Sequence, residues 1–336
     1  GGLWLAAYAA FERRYGGRQS RRFCRTEKGQ KWGCQVNQPN IALIGLGLIG
    51  SSLGHALKKN KLASHISGYA RSVATREKAL DIGFVDSVHE TAAEAVIDAD
   101  IVFFNTPLSV IKQLAEEIVP VLKDNAILTD VGSVKAGVLE ELTPLLEGRV
   151  HFVPGHPIAG TEQSGPEAGF AELFEERWCI LTPDENTSLI AVEEITKLWR
   201  GVGSDVAFME ANHHDLVLAI TSHLPHLIAY NIVGTAAQLE NDTRSEVIKY
   251  SASGFRDFTR IASSDPVMWR DIFLANKDAV LEMLGRFSED LTALQAAIRR
   301  GDARYLEDVF TKTRGIRQSV IEAGQDTDSP NFGRDK

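Results

Sequence analysis

The chain has 336 residues, enough for two domains with cores of their own, and its apolar and charged shares, 44% and 24%, are those of a water-soluble globular protein. A formal charge of −9 argues against nucleic acid as a general partner, and no run of the sequence reads as long enough to span a membrane. Three cysteines do not make a disulfide framework, so a reducing, cytoplasmic compartment is the expectation.

Residues 1–38 stand apart. The first 40 residues carry eight Lys and Arg against only Glu12 and Glu27, and they hold Cys24 and Cys34. The apolar stretch Leu3–Phe11 has no basic residue before it, which makes a poor secretory signal. This segment reads as a non-catalytic leader, and residues 326–336 as a tail.

The apolar run Ile41–Ile44 then meets Gly45-x-Gly47-x-x-Gly50, with Leu48 and Ile49 between the last two glycines and helical spacing beyond. That is strand, tight turn, helix. Gly45 can take the turn's backbone angles, Gly47 has no side chain to keep a pyrophosphate away, and Gly50 lets helix and strand lie close. The helix start presents free N–H groups to phosphates. A second strand, His65–Ala70, ends where dinucleotide folds usually carry Asp or Glu for the ribose hydroxyls. Here Ala70, Arg71 and Ser72 occupy that place, with Arg76 one turn on. A missing carboxylate beside a guanidinium makes room for a 2′-phosphate, so the cofactor expectation leans to NADP over NAD.

Further apolar strands are expected at Asp100–Asn105, closed by Thr106 and Pro107, at Ala126–Asp130 and at Val150–Val153. They alternate with helical stretches at 55–61, 73–82, 110–122 and 135–146. The pattern predicts an α/β, Rossmann-like doubly wound domain over 39–205. Trp178–Leu181 and Asp205–Phe208 read as shorter strands. After Met209 apolar residues recur at three- and four-residue spacing, predicting an all-α domain over 206–325. Asp265-Pro266 is a helix start with a capping carboxylate, and Gly301 is placed to end that helix.

Four groups suggest chemistry. His156, read as lying in a stiff loop after a strand end, could take a proton from a substrate hydroxyl. Ser133, in the preceding loop, could bond the same hydroxyl or orient the nicotinamide. His223 and His226 share a helical face across an apparent helix break, and without a third ligand no metal is expected. Gly254–Arg260, read as a break between helices, offers Arg256 and Arg260 to a carboxylate. Trp269 reads as core or interface.

In combination these segments are specific. IGLGLIGSSL, DVGSVK at Asp130–Lys135, GHPIAGTEQSG at Gly155–Gly165, SHLPH at Ser222–His226, GFRDFTRIA at Gly254–Ala262 and SDPVMWRDI at Ser264–Ile272 together resemble the prephenate/arogenate (cyclohexadienyl) dehydrogenases of tyrosine biosynthesis. The resemblance runs from about Ile41 to about Gly324. It implies NAD(P)-dependent oxidative decarboxylation of prephenate or arogenate by a homodimer joined through its helical domain. It also implies His156 as the catalytic histidine with Ser133 beside it, and Arg260 as the holder of a substrate carboxylate. His226 and His223 are then expected near the substrate side chain, Thr161 and Glu162 at the pocket's edge, and Arg256 and Trp269 close to the site or to the neighbouring subunit's. Two rivals are another two-domain NAD(P)-dependent hydroxyacid dehydrogenase and a nucleotide sensor that has lost the reaction.

Overall fold

The computed structural model describes residues 38–146, 148–238, 246, 249–250 and 252–322. The expected leader up to residue 37 and the tail lie outside the described residues. Six parallel strands form the main sheet: β1 (Asn40–Ile44), β2 (His65–Tyr69), β3 (Ser87–Val88), β4 (Ile101–Phe104), β5 (Ile127–Asp130) and β6 (His151–Val153). Their spatial order is β3-β2-β1-β4-β5-β6. Helices Leu48–Lys59, Val73–Ile82, Ala92–Val96, Leu108–Ile118 and Ala136–Leu142 make the crossovers.

Alternate residues of β1 serve opposite faces. Ile41 and Leu43 join a core with Phe103 and Trp199, while Ala42 and Ile44 join one with Phe104, Ile111 and Phe152. This is why the strand reads as an unbroken apolar run: both of its faces are covered. The strand order reverses between β1 and β4, and the crevice beyond their carboxyl ends is where open α/β sheets take ligands. Gly45 leaves one of these strands and Asn105 the other.

The shorter strands build a second sheet, β7 (Gly155–Pro157), β8 (Trp178–Leu181) and β9 (Asp205–Phe208), with β7 antiparallel and β9 parallel to β8. His156 is therefore not in a loop, as its Gly and Pro neighbours suggest, but in the middle of a strand opposite Ile180. Pairing at β8 straightens a segment that local composition marks as a turn.

Two other local expectations are revised. The helix through Ser222–His226 is not interrupted: Ala211–Leu218 continues through a π-helical turn, Ala219–His223, into Leu224–Ala237. Pro225 lacks an N–H, and a widened turn just before it absorbs the missing bond without ending the helix. Gly254–Arg260 is not a break either, since Ser253–Thr259 is a short helix followed by a 3₁₀ turn, Arg260–Ser263.

The joined helix Ala211–Ala237 also corrects the membrane reading. Its 27 residues, with mean hydropathy 1.5 in the most apolar window, suffice by length and composition to cross a bilayer. Polar clusters at 212–215 and 221–223 interrupt its apolar residues, so no continuous apolar run of that length appears in the sequence. Asp215, the one carboxylate it carries, is buried and hydrogen-bonded inside the protein.

Asp265 caps the helix Pro266–Ala275, its Oδ1 accepting from the N–H groups of Val267 at 2.8 Å and Met268 at 2.9 Å. Compactness divides the chain between Lys277 and Asp278. The change from strands to helices comes earlier, after Phe208, because the first helices are tied to the sheet segment. Ser109 donates to Asp271 at 2.6 Å, and Val134 packs in one cluster with Trp269 and Ile272. The second unit holds most of the helix Lys277–Arg300, then Gly301 at φ 67°, then the helix Ala303–Glu322. Gly301 ends the first of these helices with its left-handed angle. It does not end the helix that starts at Asp265, as the sequence suggests: that one stops at Asn276, and a new helix begins at Lys277.

Candidate active site

At the nucleotide end, Gly45 adopts φ 102°, and a Cβ there would meet the Asn105 carbonyl oxygen at 2.5 Å. A Cβ on Gly50 would fall 2.0 Å from the Gly45 oxygen, whereas one on Gly47 would meet only open space. Gly47 is the N-cap of the helix Leu48–Lys59, with no side-chain cap and no acid in the first turn. The N–H groups around Leu48 and Ile49 are thus left for an anion from outside. Across the crevice the Asn105 Oδ1 and Thr106 Oγ1 atoms are buried without a partner among the described residues, next to exposed Pro107. Buried polar atoms rarely go unpaired, so a polar ligand is the natural occupant. These residues fit a dinucleotide.

At the end of β2, Arg71 is exposed and Ala70 half-buried. Arg76 folds back under them, its Nη1 donating to the carbonyls of Ala70 at 2.7 Å and Arg71 at 3.3 Å. Ser72 caps the next helix by accepting from Thr75 N–H at 3.4 Å. Its own O–H remains a donor at the place where a ribose substituent would lie.

His156 is almost fully buried, and its Nδ1 stands 2.9 Å from His214 Nε2. His214 Nδ1 is in turn 2.8 Å from Asp215 Oδ1. The same carboxylate accepts the N–H groups of Lys135 at 2.8 Å and Ala136 at 2.9 Å, so it also caps the helix Ala136–Leu142. Lys135 is wholly buried, paired with Asp130 and donating to the Gly155 carbonyl at 2.7 Å. Asp130 Oδ1 accepts from Gly155 N–H at 3.2 Å, so the pair pins the start of β7 to the end of β5. Burial, with His214, Lys135 and His223 nearby, holds the His156 imidazolium well below its ordinary range. Burial also lowers His214, against the opposing pull of its bond to Asp215. Both rings are neutral at neutral pH. Ser133, in the loop before Lys135, is half-buried, and its hydroxyl has no bond partner among the described residues.

His223 is buried, with its Nδ1 3.1 Å from Asn276 Nδ2. An amide nitrogen only donates, and this one also donates to the Asp215 carbonyl at 2.7 Å. His223 Nδ1 is therefore the acceptor, and its Nε2 carries the hydrogen, unpartnered among the described residues. Burial lowers its pKa to about 4. His226 donates from Nδ1 to the Ser222 carbonyl at 2.8 Å and stacks on Trp269, 3.7 Å between centroids at 23°. Its pKa is lowered by burial and by the nearby Arg260 charge. Trp269 is buried and also meets His223 edge-on.

Arg260 Nη1 donates to Glu162 Oε2 at 3.1 Å, both side chains being 42% exposed. Thr161, beside Glu162, accepts from Gln163 N–H at 3.2 Å. A series of hydrogen bonds and ring contacts thus runs from His156 through His214, Asp215, Asn276, His223 and Trp269 to His226, and the Arg260 charge, paired with Glu162, acts on His226. Arg256 stands outside this series, 71% exposed, its Nε bonded to the neighbouring Asp257 at 3.2 Å. Among the described residues no group of three or more His, Cys, Asp or Glu is arranged to hold a metal ion.

Sequence reasoning missed His214, Asp215, Asn276 and the Lys135–Asp130 pair. A partial signal existed, since His214, His223 and His226 occupy one long helical segment. Nine residues at about 100° each would put His223 on the opposite face from His214 in an ideal α-helix. The π turn reduces that offset.

Two family models cover the chain: prephenate dehydrogenase, nucleotide-binding domain, over residues 53–208, and prephenate dehydrogenase, dimerization domain, over 210–312. A cyclohexadienyl dehydrogenase of Zymomonas mobilis is 42% identical over 84% of this chain and 96% of its own length. A prephenate dehydrogenase of Bacillus subtilis is 35% identical over 83% of this chain and 76% of its own. Among solved structures, prephenate dehydrogenase from A. aeolicus in complex with hydroxyphenyl propionate and NAD+ superposes with a TM-score of 0.80 at 33% identity, over 85% of this chain and 99% of that one. Motifs, fold and relatives agree: the chain belongs to the prephenate dehydrogenase family.

Proposed function

We propose that the chain oxidatively decarboxylates prephenate to 4-hydroxyphenylpyruvate, arogenate to tyrosine, or both, with His156 as the proton acceptor and Arg260 as the carboxylate holder. The bound nicotinamide supplies the acceptor for the hydride on the carbinol carbon. The carbinol proton passes to His156 as the hydride leaves, the substrate's ring carboxylate departs as CO₂ with its bonding pair passing into the ring, and the oxygen, now a phenolate, takes the proton back to end as a phenol. Aromatisation drives the step, so the protein's task is orientation and control of one proton. Ser133 bonds the same hydroxyl, and His223 Nε2–H and His226 face the substrate side chain. Thr161 and Glu162 close the rim, with Glu162 covering Arg260 until a substrate carboxylate takes its place.

The observation that supports this reading is the series of hydrogen bonds and ring contacts that leads from buried, neutral His156 to His226, which feels the charge of half-exposed Arg260. Such a series offers a small diacid one buried, proton-accepting end and one cationic end. NADP is the proposed cofactor, because Arg71 and Arg76 mark the ribose end and no carboxylate ends β2. A homodimer in the cytoplasm completes the proposal. In the second unit Leu281, Leu291, Ile298, Phe310 and Ile316 are more than half exposed, an apolar face that a second copy would cover.

Absorbance at 340 nm with prephenate or arogenate and either cofactor tests the proposal. Reduced cofactor should form with at least one substrate, faster with NADP+ than with NAD+. No turnover with either substrate would favour the sensor reading instead.

A further inference from the structure

We propose that His214 and Asp215 are positioning residues that lock His156 in the Nδ1–H tautomer, leaving Nε2 as the lone-pair atom that meets the substrate hydroxyl. The inference rests on the function proposed above for what His156 does, but its geometry stands on hydrogen bonds alone. Asp215 accepts two backbone N–H groups, Lys135 on Oδ1 and Ala136 on Oδ2, so its oxygens act as acceptors where they face the protein. His214 Nδ1, 2.8 Å from Oδ1, must then be a donor. A neutral imidazole has only one N–H, so His214 Nε2 is an acceptor. The 2.9 Å contact to His156 is therefore filled by a hydrogen on His156 Nδ1.

The polarity of the chain is fixed from the backbone outward. The helix start at Lys135 and Ala136 orients the carboxylate, the carboxylate orients His214, and His214 orients His156. His223 is set the other way by Asn276, with its hydrogen on Nε2. One histidine of the site thus accepts through Nε2 while the other donates through the same atom. When His156 takes the hydroxyl proton on Nε2, the positive charge that forms lies two bonded steps from the Asp215 carboxylate. Lys135, His214 and His223 all disfavour that charge on His156, while Asp215 and Asp130 favour a charge on His214.

The test reads the tautomer directly. Two-bond ¹⁵N–¹H correlation of the full ¹⁵N-histidine-labelled chain at pH 7.5, with His156 identified by its loss in His156→Asn, should show Nδ1 protonated and Nε2 bare. A bare Nδ1 with a protonated Nε2 in the wild type would overturn the proposal. In kinetics, His214→Leu should lower kcat about 100-fold or more with little change in KM. His214→Gln, whose Oε1 can accept from His156 Nδ1–H, should recover kcat to within about tenfold of wild type. A His214→Leu enzyme with kcat within twofold of wild type would also overturn it. If His214→Leu does not fold, the wild-type spectrum decides alone. The spectrum needs no turnover, so failure of the 340 nm assay would sink the proposed function and leave the tautomer result standing.

Discussion

His214 Nε2 lies 2.9 Å from His156 Nδ1, so the histidine proposed as proton acceptor is held from behind by a residue 58 positions away in sequence. Its accepting nitrogen is oriented before any substrate arrives. Replacing His156 by Asn removes the acceptor and leaves the carboxylate site untouched. The expected result is a fall in kcat of about 10²–10⁴ with KM within a few-fold, measured by initial rates at 340 nm. A rise in KM at unchanged kcat would assign His156 to binding instead.

Arg260 belongs to the other end of the site. Its removal deletes a charge-assisted contact of about 1.5–3 kcal/mol, which corresponds to about 10- to 150-fold in KM. Arg260→Ala should show that increase, and an unchanged KM would refute the assignment. Glu162→Gln should act in the opposite sense, lowering KM a few-fold, because it frees the guanidinium from the carboxylate now 3.1 Å away.

The glycines separate folding from cofactor binding. A methyl group on Gly47 meets nothing in the protein, whereas one on Gly50 would collide with the Gly45 backbone at 2.0 Å. Gly47→Ala should keep the wild-type Tm while raising the cofactor Kd about tenfold or more. Gly50→Ala should lower Tm as well. Calorimetry and cofactor titration of both variants check this, and a Gly47→Ala protein with unchanged Kd would place the pyrophosphate elsewhere.

Stability should depend on pH through the buried histidines. His223 has a folded pKa of about 4 against an unfolded value of about 6.5, so the unfolded chain binds more protons between these limits. Its contribution is fully present above pH 6.5 and is lost as pH falls toward 4. His156 and His214, also lowered, act with the same sign. From pH 6.5 to 5 the loss from His223 alone is of the order of 1–2 kcal/mol. Urea midpoints at pH 7, 6 and 5 measure it, and His223→Gln should flatten the slope. A midpoint constant over that range would contradict the neutral burial of these rings.

What the sequence made legible was local. The glycine turn, the buried parallel strands and the Asp265 cap are each written in a few consecutive residues, and each appears as read; Gly301 does end a helix, though not the one that Asp265 starts. The environment of His156 was not legible. Its place in a strand depends on Trp178–Leu181, and its hydrogen-bond partner depends on a helix that starts more than fifty residues later. The π turn that lets His214 and His223 serve the same series follows from Pro225 meeting a helix stable enough to continue around it, a balance of tertiary packing that no short window displays.

The most direct measurement is a crystal structure of the chain with its oxidised cofactor and a phenolic carboxylic acid that mimics the aromatised product. The phenol oxygen should lie within about 2.6–3.2 Å of His156 Nε2 while the carboxylate takes the place of Glu162 at Arg260. A ligand that binds with its carboxylate on another cation, or with its phenol away from His156, would contradict the proposed site.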